Sequence, residues 1–397
     1  MRQFIIVGAG MGTKDGLTAQ AVHALQHAAC VFAAPRLAKS LSDICEVTPI
    51  SINQMVAQAI ACNHSPVALI VSGDTGFFSL TKHIYDKLSA HGTVEVIPGI
   101  SSMQYLCAKC GQSYEDAHML SLHGRTGYIL GAVSYHRKVF VLTDGTHTAQ
   151  KICQDLTQAG LGDVFVYQGE NMGSDQEQIC SGTAQTLSTR PCAELSCLLI
   201  CNPDAANISR ALRDTDFIRG KVPMTKEEIR WTAVNLLQIQ PTDIIYDIGA
   251  GTGSVSVEMA RHATDGLVYA IERNADGLSL IEQNRKKWGS ANVISVTGCA
   301  PQAMQELPTP DAAFIGGSGG ELYGILLQLK SKNPHIRVCI SAIALETVSL
   351  AWDSMKKLEF EHMEMRQIGA AHGKSVGNYT MMTANNPVFL ISGGQFL

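Results

Sequence analysis

The run Asp243-Ile-Ile-Tyr-Asp-Ile-Gly-Ala-Gly-Thr-Gly253 constrains the fold more than any other segment. An apolar strand, Ile244–Ile248, enters a glycine turn, and a helix, Ser254–His262, starts at once. Glycines let the backbone approach a ligand closely, and a helix start presents N–H groups without intrahelical acceptors. Strand, turn and helix in this order belong to open α/β sheets, in which ligands sit at the carboxyl ends of parallel strands. Ile271-Glu272-Arg273 then places an acid at the end of the next strand. It lies about twenty residues beyond the loop, where nucleotide-binding sheets hold a ribose diol.

The same alternation runs through both halves. In the second half, Thr225 and Glu228 have capping-box spacing at the start of the helix Lys226–Leu237. Strand and helix patterns continue through Val268–Ile271, Asn274–Trp288, Val293–Thr297, Ala312–Ile315, Glu321–Lys330, Ile336–Ser341 and Leu345–Leu358. Two strand-like runs, Asn378–Thr383 and Val388–Ser392, close the chain as a hairpin around Asn385-Asn386-Pro387. In the first half, Phe4–Val7, Val67–Val71, Val94–Ile97, Lys138–Leu142, Val164–Tyr167 and Leu195–Cys201 read as strands. Thr18–Ala29, His83–Ala90 and Ser101–Lys109 read as helices. The expected fold class is α/β in both halves, with a mostly parallel sheet and a terminal β-hairpin in the second. With 397 residues, no internal repeat and a polar stretch after Cys201, the chain divides into domains 1–201 and 223–397 joined by a linker 202–222.

Composition excludes several classes. A net charge of −5 with no basic stripe argues against a nucleic-acid partner. No stretch approaches the ~18 apolar residues needed to cross a membrane, and Phe4–Val7 is too short for a signal segment. The twelve cysteines are scattered, and the one CxxC, Cys107 to Cys110, has no second pair at zinc spacing. They read as reduced thiols of a cytoplasmic protein with no metal site.

Two ligands compete for the second-half loop. A dinucleotide fingerprint requires glycine at position 254, which is Ser254. The pattern D-x-G-x-G-x-G, with Glu272 at the next strand end and Gly298-Cys299-Ala300 after the third, resembles the S-adenosylmethionine loop of Rossmann-like methyltransferases. Methyltransferases of base amino groups often carry Asn/Asp-Pro-Pro-Tyr/Phe after the fourth strand. This chain has Gly316-Gly317-Ser318-Gly319-Gly320-Glu321 there. That run, with Pro223 to Arg230, Leu345-Glu346-Thr347 and Thr380-Met381-Met382, resembles the precorrin-6B C15-methyltransferase (decarboxylating) family over about 215–393.

The first half opens with Val7-Gly8-Ala9-Gly10-Met11-Gly12. A Rossmann loop feeds its helix at once, whereas here Thr13 replaces the third glycine and the helix begins only near Thr18. With Leu17-Thr18, Val71-Ser72-Gly73-Asp74-Thr75-Gly76-Phe77 and Ile97-Pro98-Gly99-Ile100-Ser101-Ser102, the segment resembles the tetrapyrrole methylase family over about 1–201. Leu122-His123-Gly124-Arg125 and Gly169-Glu170 through Glu177 are similar to the branch that methylates C-5 of precorrin. Met11 and Thr75 stand where that family usually has proline.

The fusion of the two resembles the precorrin-6Y C5,15-methyltransferase (decarboxylating) family. The resemblance implies a bifunctional S-adenosylmethionine-dependent methyltransferase of cobalamin biosynthesis. One half would methylate C-5, and the other would methylate C-15 and decarboxylate the ring C acetate. It also implies that Thr225, Gly249, Ala250, Gly251, Thr252, Gly253, Glu272 and Ala300 hold one donor. Gly8, Gly10, Gly73, Asp74, Phe77, Ser101 and Ser102 would hold the other. Gly316, Gly317, Ser318, Gly319 and Gly320 would floor the substrate, with Arg125, Arg230 and Lys374 facing its carboxylates and His123 as a proton donor. The partner is then a small corrinoid, and the related methylases lead one to expect a homo-oligomer. A single working domain, a dinucleotide-dependent oxidoreductase and a regulatory module are the alternatives.

Overall fold

The computed structural model describes residues 2–123 and 127–395, which form two compact units. The first holds the described residues of Met1–Arg125, Lys138–Thr157 and Gly162–Cys201; the second holds those of Thr126–Arg137, Gln158–Leu161 and Asn202–Leu397. The sequence assigns 127–137 and 158–161 to the first domain, whereas they belong to the second unit.

The first unit contains two sheets. Strands β1 (Gln3–Gly8), β2 (Cys30–Ala33), β3 (Thr48–Pro49), β4 (Val67–Val71) and β5 (Thr93–Ile97) form a parallel sheet in the order β3-β2-β4-β1-β5. The continuous apolar run of β1 is explained by burial on both faces. Phe4 and Ile6 join a core with Met55, Leu69 and Leu88, while Ile5 and Val7 join another with Ala21, Leu25 and Leu37. Strands β6 (His118–Ser121), β7 (Lys138–Leu142), β8 (Phe165–Glu170), β9 (Gln178–Thr183) and β10 (Ser196–Cys201) form the second sheet, ordered β6-β7-β10-β8-β9. Only β6 and β7 run parallel in it.

The second unit is built on one sheet. Strands β11 (Ile244–Ile248), β12 (Leu267–Glu272), β13 (Val293–Thr297), β14 (Ala312–Ile315) and β15 (Arg337–Ala342) are parallel, in the order β13-β12-β11-β14-β15. Strands β16 (Glu364–Ile368) and β19 (Val388–Gly393) extend it antiparallel, with β19 between β15 and β16. The remaining pair, β17 (Ala371–Val376) and β18 (Tyr379–Ala384), makes an exposed two-stranded ribbon. The terminal strands therefore choose partners other than each other: β18 pairs with β17, and β19 pairs with β15 and β16.

Two further expectations change. Residues 202–222 are packed chain, not a free linker. Leu212 and Phe217 are buried with Val257, and Asn284 Oδ1 accepts from the Ile218 N–H at 2.7 Å. The Thr225–Glu228 capping box does not form. The helix runs Glu227–Leu236 with Lys226 at its N-cap and no side-chain cap. The Thr225 carbonyl instead accepts from Arg230, and Glu228 pairs with His372 at 2.9 Å.

Candidate functional site

In the second unit the chain builds outward from β11 through β12 to β13, then returns to β14 and β15 on the other side. The direction of winding reverses between β11 and β14, the position where open α/β sheets bind ligands. The loops after those two strands meet there. A Cβ on Gly249 would lie 2.8 Å from both the N and the O of Gly317. Gly249 also has φ +73°. No other residue type satisfies both the space and the torsion without strain. The Gly316 and Gly317 N–H groups donate to the Ile248 carbonyl at 2.9 and 3.2 Å, which fixes the second loop to the first.

Glu272, at the end of β12, holds the loops in register. Its Oε2 accepts from the Gly251 N–H, and its Oε1 from the Arg273 and Asn274 N–H groups, all at 2.8 Å. Its carbonyl accepts from the Gly298 N–H at 3.0 Å, placing Gly298–Ala300 beside it. Gly251 in turn abuts Pro223, whose carbonyl would stand 3.1 Å from a Cβ there, so the segment leading to Thr225 borders the loop. The Gly249 and Ala250 N–H groups donate to Ile271, and that of Gly253 donates to Ala250. Much of the loop's hydrogen-bonding capacity is therefore internal. The helix Ser254–His262 follows with Gly253 at its N-cap and no side-chain cap, its first turn buried.

Beneath the loop, Asp247 is 1% exposed. Burial pushes its carboxyl up to about 7, against hydrogen bonds from the Ser256 hydroxyl and N–H. Asp247 Oδ1 and Thr252 Oγ1 are buried without a hydrogen-bond partner among the described residues. A cradle with a partly exposed carboxylate and two orphaned polar atoms is suited to a small polar ligand with hydroxyls.

In the first unit, the loops after the adjacent strands β1, β4 and β5 converge. Gly10 and Gly73 exchange N–H to carbonyl bonds of 3.1 and 3.0 Å. Asp74 accepts from the Gly76 N–H at 2.8 Å and the Gly99 N–H at 3.1 Å, so one carboxylate ties the second loop to the third. A Cβ on Gly8 would meet Gly99 N at 2.6 Å. Ser101 caps the helix Ser102–Cys110, with its Oγ accepting from Gln104 N–H. Phe77 packs edge-on to Phe140, with ring centroids 5.7 Å apart, inside a core with Leu106 and Met172.

The expected substrate contacts fare unevenly. Arg230 is fully buried, so its assignment to substrate is corrected. Its guanidinium donates to the carbonyls of Thr225 and Leu212 at 2.8 Å, pairs with Asp214 at 3.2 Å and lies 4.7 Å from the Phe217 ring centroid. Lys374 is exposed on β17, opposite Met381. His123 is exposed just beyond β6. Arg125 lies outside the described residues. Three residues that the sequence reading passed over stand at the loops. Arg273 NH1 is 3.9 Å from where a Gly319 Cβ would be. Arg36 donates to Ser72 Oγ at 3.3 Å beside Gly12. Asn284 donates to the Thr252 carbonyl at 2.9 Å.

Residues 3–188 match the tetrapyrrole (corrin/porphyrin) methylases, and residues 217–393 match the precorrin methyltransferase domain. A probable cobalt-precorrin-6B C(15)-methyltransferase (decarboxylating) of Pyrobaculum calidifontis is 38% identical over 173 residues, covering 43% of this chain and 88% of that protein. The cobalt-precorrin-6B C(15)-methyltransferase (decarboxylating) of Salmonella typhimurium is 33% identical, over 46% of this chain and 94% of its own. The crystal structure of a precorrin-6Y C5,15-methyltransferase from Geobacter metallireducens is 32% identical, with a TM-score of 0.44, covering 46% of this chain and 97% of that one. With one methylase family matched along its first half and another along its second, the chain belongs to the precorrin methyltransferases of cobalamin biosynthesis, as a two-domain fusion.

Proposed function

We propose that the first unit methylates C-5 of a precorrin-6-type macrocycle and that the second methylates C-15 and decarboxylates the ring C acetate, both using S-adenosylmethionine. The observation that carries this reading is the occurrence of two separate glycine cradles, each at the carboxyl ends of its own parallel strands. In the second unit Gly249–Gly253, Glu272, Thr225 and Ala300 would hold the donor. Glu272, already bonded at both oxygens to backbone N–H groups, keeps one lone pair, on Oε2, for a ribose hydroxyl. Each charge-assisted bond of that kind contributes about 1.5–3 kcal/mol. In the first unit Gly8, Gly10, Gly73, Asp74, Phe77, Ser101 and Ser102 would form the corresponding cradle, with Asp74 holding the loops together.

The donor supplies an already activated methyl group on a sulfonium. The macrocycle supplies an enamine-like carbon nucleophile, so the protein needs no nucleophile of its own. Its residues position the ring carbon in line and exclude water. Gly316, Gly317, Ser318, Gly319 and Gly320 would form the flat floor for the ring, with Arg273 at its edge to meet a carboxylate. In the decarboxylation the C–C bond breaks, carbon dioxide leaves, and the electron pair passes into the macrocycle's conjugated imine before a proton returns to carbon.

The test is calorimetric titration of the full chain with S-adenosylhomocysteine, alongside Asp74→Ala and Glu272→Ala. Two sites, each weakened by one substitution, are expected, and methyl-labelled donor should deliver two methyls per macrocycle with release of one carbon dioxide. Absence of binding at both sites, or binding of NAD in their place, would overturn the reading.

A further inference from the structure

Between β8 and β9 lie residues 171–177, a loop that nothing in the proposed mechanism uses. Its last residue, Glu177, is bonded on three sides. Its Oε2 accepts from the Gly173 N–H at 2.6 Å and from the Tyr105 hydroxyl at 2.7 Å, and its Oε1 pairs with Lys109 Nζ at 2.9 Å. Tyr105 and Lys109 stand one turn apart on the helix Ser102–Cys110, which begins with the candidate site residues Ser101, its N-cap, and Ser102. The loop is therefore pinned to that helix by one carboxylate.

The pinned loop presses on both glycine loops. Gly173 has φ +79° and sits directly against Met11, so that a Cβ on it would collide with the Met11 Cβ. Met11 lies between Gly10 and Gly12 in the loop after β1. The neighbouring Met172 packs into the core that contains Phe77, from the loop after β4, and Leu106. Partial burial works against ionisation of Glu177, but the Gly173, Tyr105 and Lys109 bonds outweigh it and hold the carboxyl below its ordinary range.

We infer that Glu177 is a positioning residue of the first unit's donor site, closing residues 171–177 onto Met11 and Phe77 so that the two glycine loops keep their binding geometry. The inference rests on the reading that the loops after β1 and β4 hold the methyl donor. Glu177 touches neither donor nor ring; it acts through Gly173 and Met172.

The experiment is S-adenosylhomocysteine titration of the full chain and of its Glu177→Ala, Glu177→Gln and Tyr105→Phe variants, with the C-5 and C-15 methylations assayed separately. Glu177→Ala should weaken the first-unit site about tenfold or more and raise the donor KM for C-5 methylation. The second-unit site and C-15 methylation should stay as in the wild type. Glu177→Gln, which keeps an acceptor for Gly173, should recover most of the affinity, and Tyr105→Phe should fall between, giving a graded series even where the alanine variant folds poorly. Wild-type affinity at both sites in all three variants would overturn the inference. If the wild type itself shows no site sensitive to Asp74→Ala, the underlying donor reading has failed, and the wild-type titration alone reveals that.

Discussion

The Glu272 carboxylate accepts a 2.8 Å hydrogen bond from the Gly251 N–H, across 21 positions of chain. A residue expected to bind ligand thus also shapes the loop that binds it. Gly277 makes this possible, since a Cβ there would stand 2.8 Å from Glu272 Cγ. Glu272→Gln keeps the side chain's length but removes the charge and one acceptor oxygen. Its affinity for S-adenosylhomocysteine at the second-unit site should drop about tenfold, on the order of 1.4 kcal/mol, with the first-unit site unmoved. Equal loss at both sites would mean general destabilisation instead.

Gly249→Ala tests the meeting of the two loops. The new methyl would overlap Gly317 at a φ that alanine adopts only with strain. A destabilisation of about 1–3 kcal/mol and loss of second-unit donor binding are expected in thermal unfolding and calorimetry. An alanine variant that binds normally would show that the loops separate freely.

Asp247 makes stability depend on pH. Its native carboxyl titrates at about 7, against an ordinary 3.8 in the unfolded chain. The native state therefore holds the proton more tightly, and stability falls as pH rises from about 4 to 7. Above that range the penalty is complete, on the order of 4 kcal/mol. Asp247→Asn removes the titration, so denaturant unfolding across this range should show a shallower decline in the variant than in the wild type. Parallel pH profiles would refute the assignment.

Arg230 is a structural cation. Arg230→Met removes the guanidinium's bonds to Asp214 and to the Thr225 and Leu212 carbonyls, while Asp214 keeps Arg219 at 3.2 Å and Lys226 at 3.8 Å, and the Leu212 carbonyl keeps Trp231 Nε1 at 3.0 Å. A loss of about 1–3 kcal/mol is expected, measured by denaturant unfolding, and the folded fraction should keep its KM for the macrocycle. Arg230→Lys should not rescue stability, because an ammonium cannot reproduce the guanidinium's fork of three bonds. A raised KM at unchanged stability would restore the residue to the substrate site.

The strand, glycine loop and helix of 244–262 and the acid at 272 are local patterns, fixed by hydrophobic run length, turn chemistry and spacing within about thirty residues. So were the resemblances to both methylase families, which rest on short motifs. Other features needed the folded chain. Nothing in the spacing of Arg230 distinguishes a solvated charge from a buried one; burial is decided by Leu212, Phe217 and Asp214, which the chain brings back over the helix. The partners of β18 and β19 depend on which sheet edge is free, since either strand could form a hairpin with the other. Glu177, Gly173 and Met11 lie more than 160 positions apart at their extremes, and only packing makes them neighbours. Local sequence chose most of the elements. The tertiary structure decided which charges face solvent and which loops touch, because those depend on long-range contacts that no short pattern records.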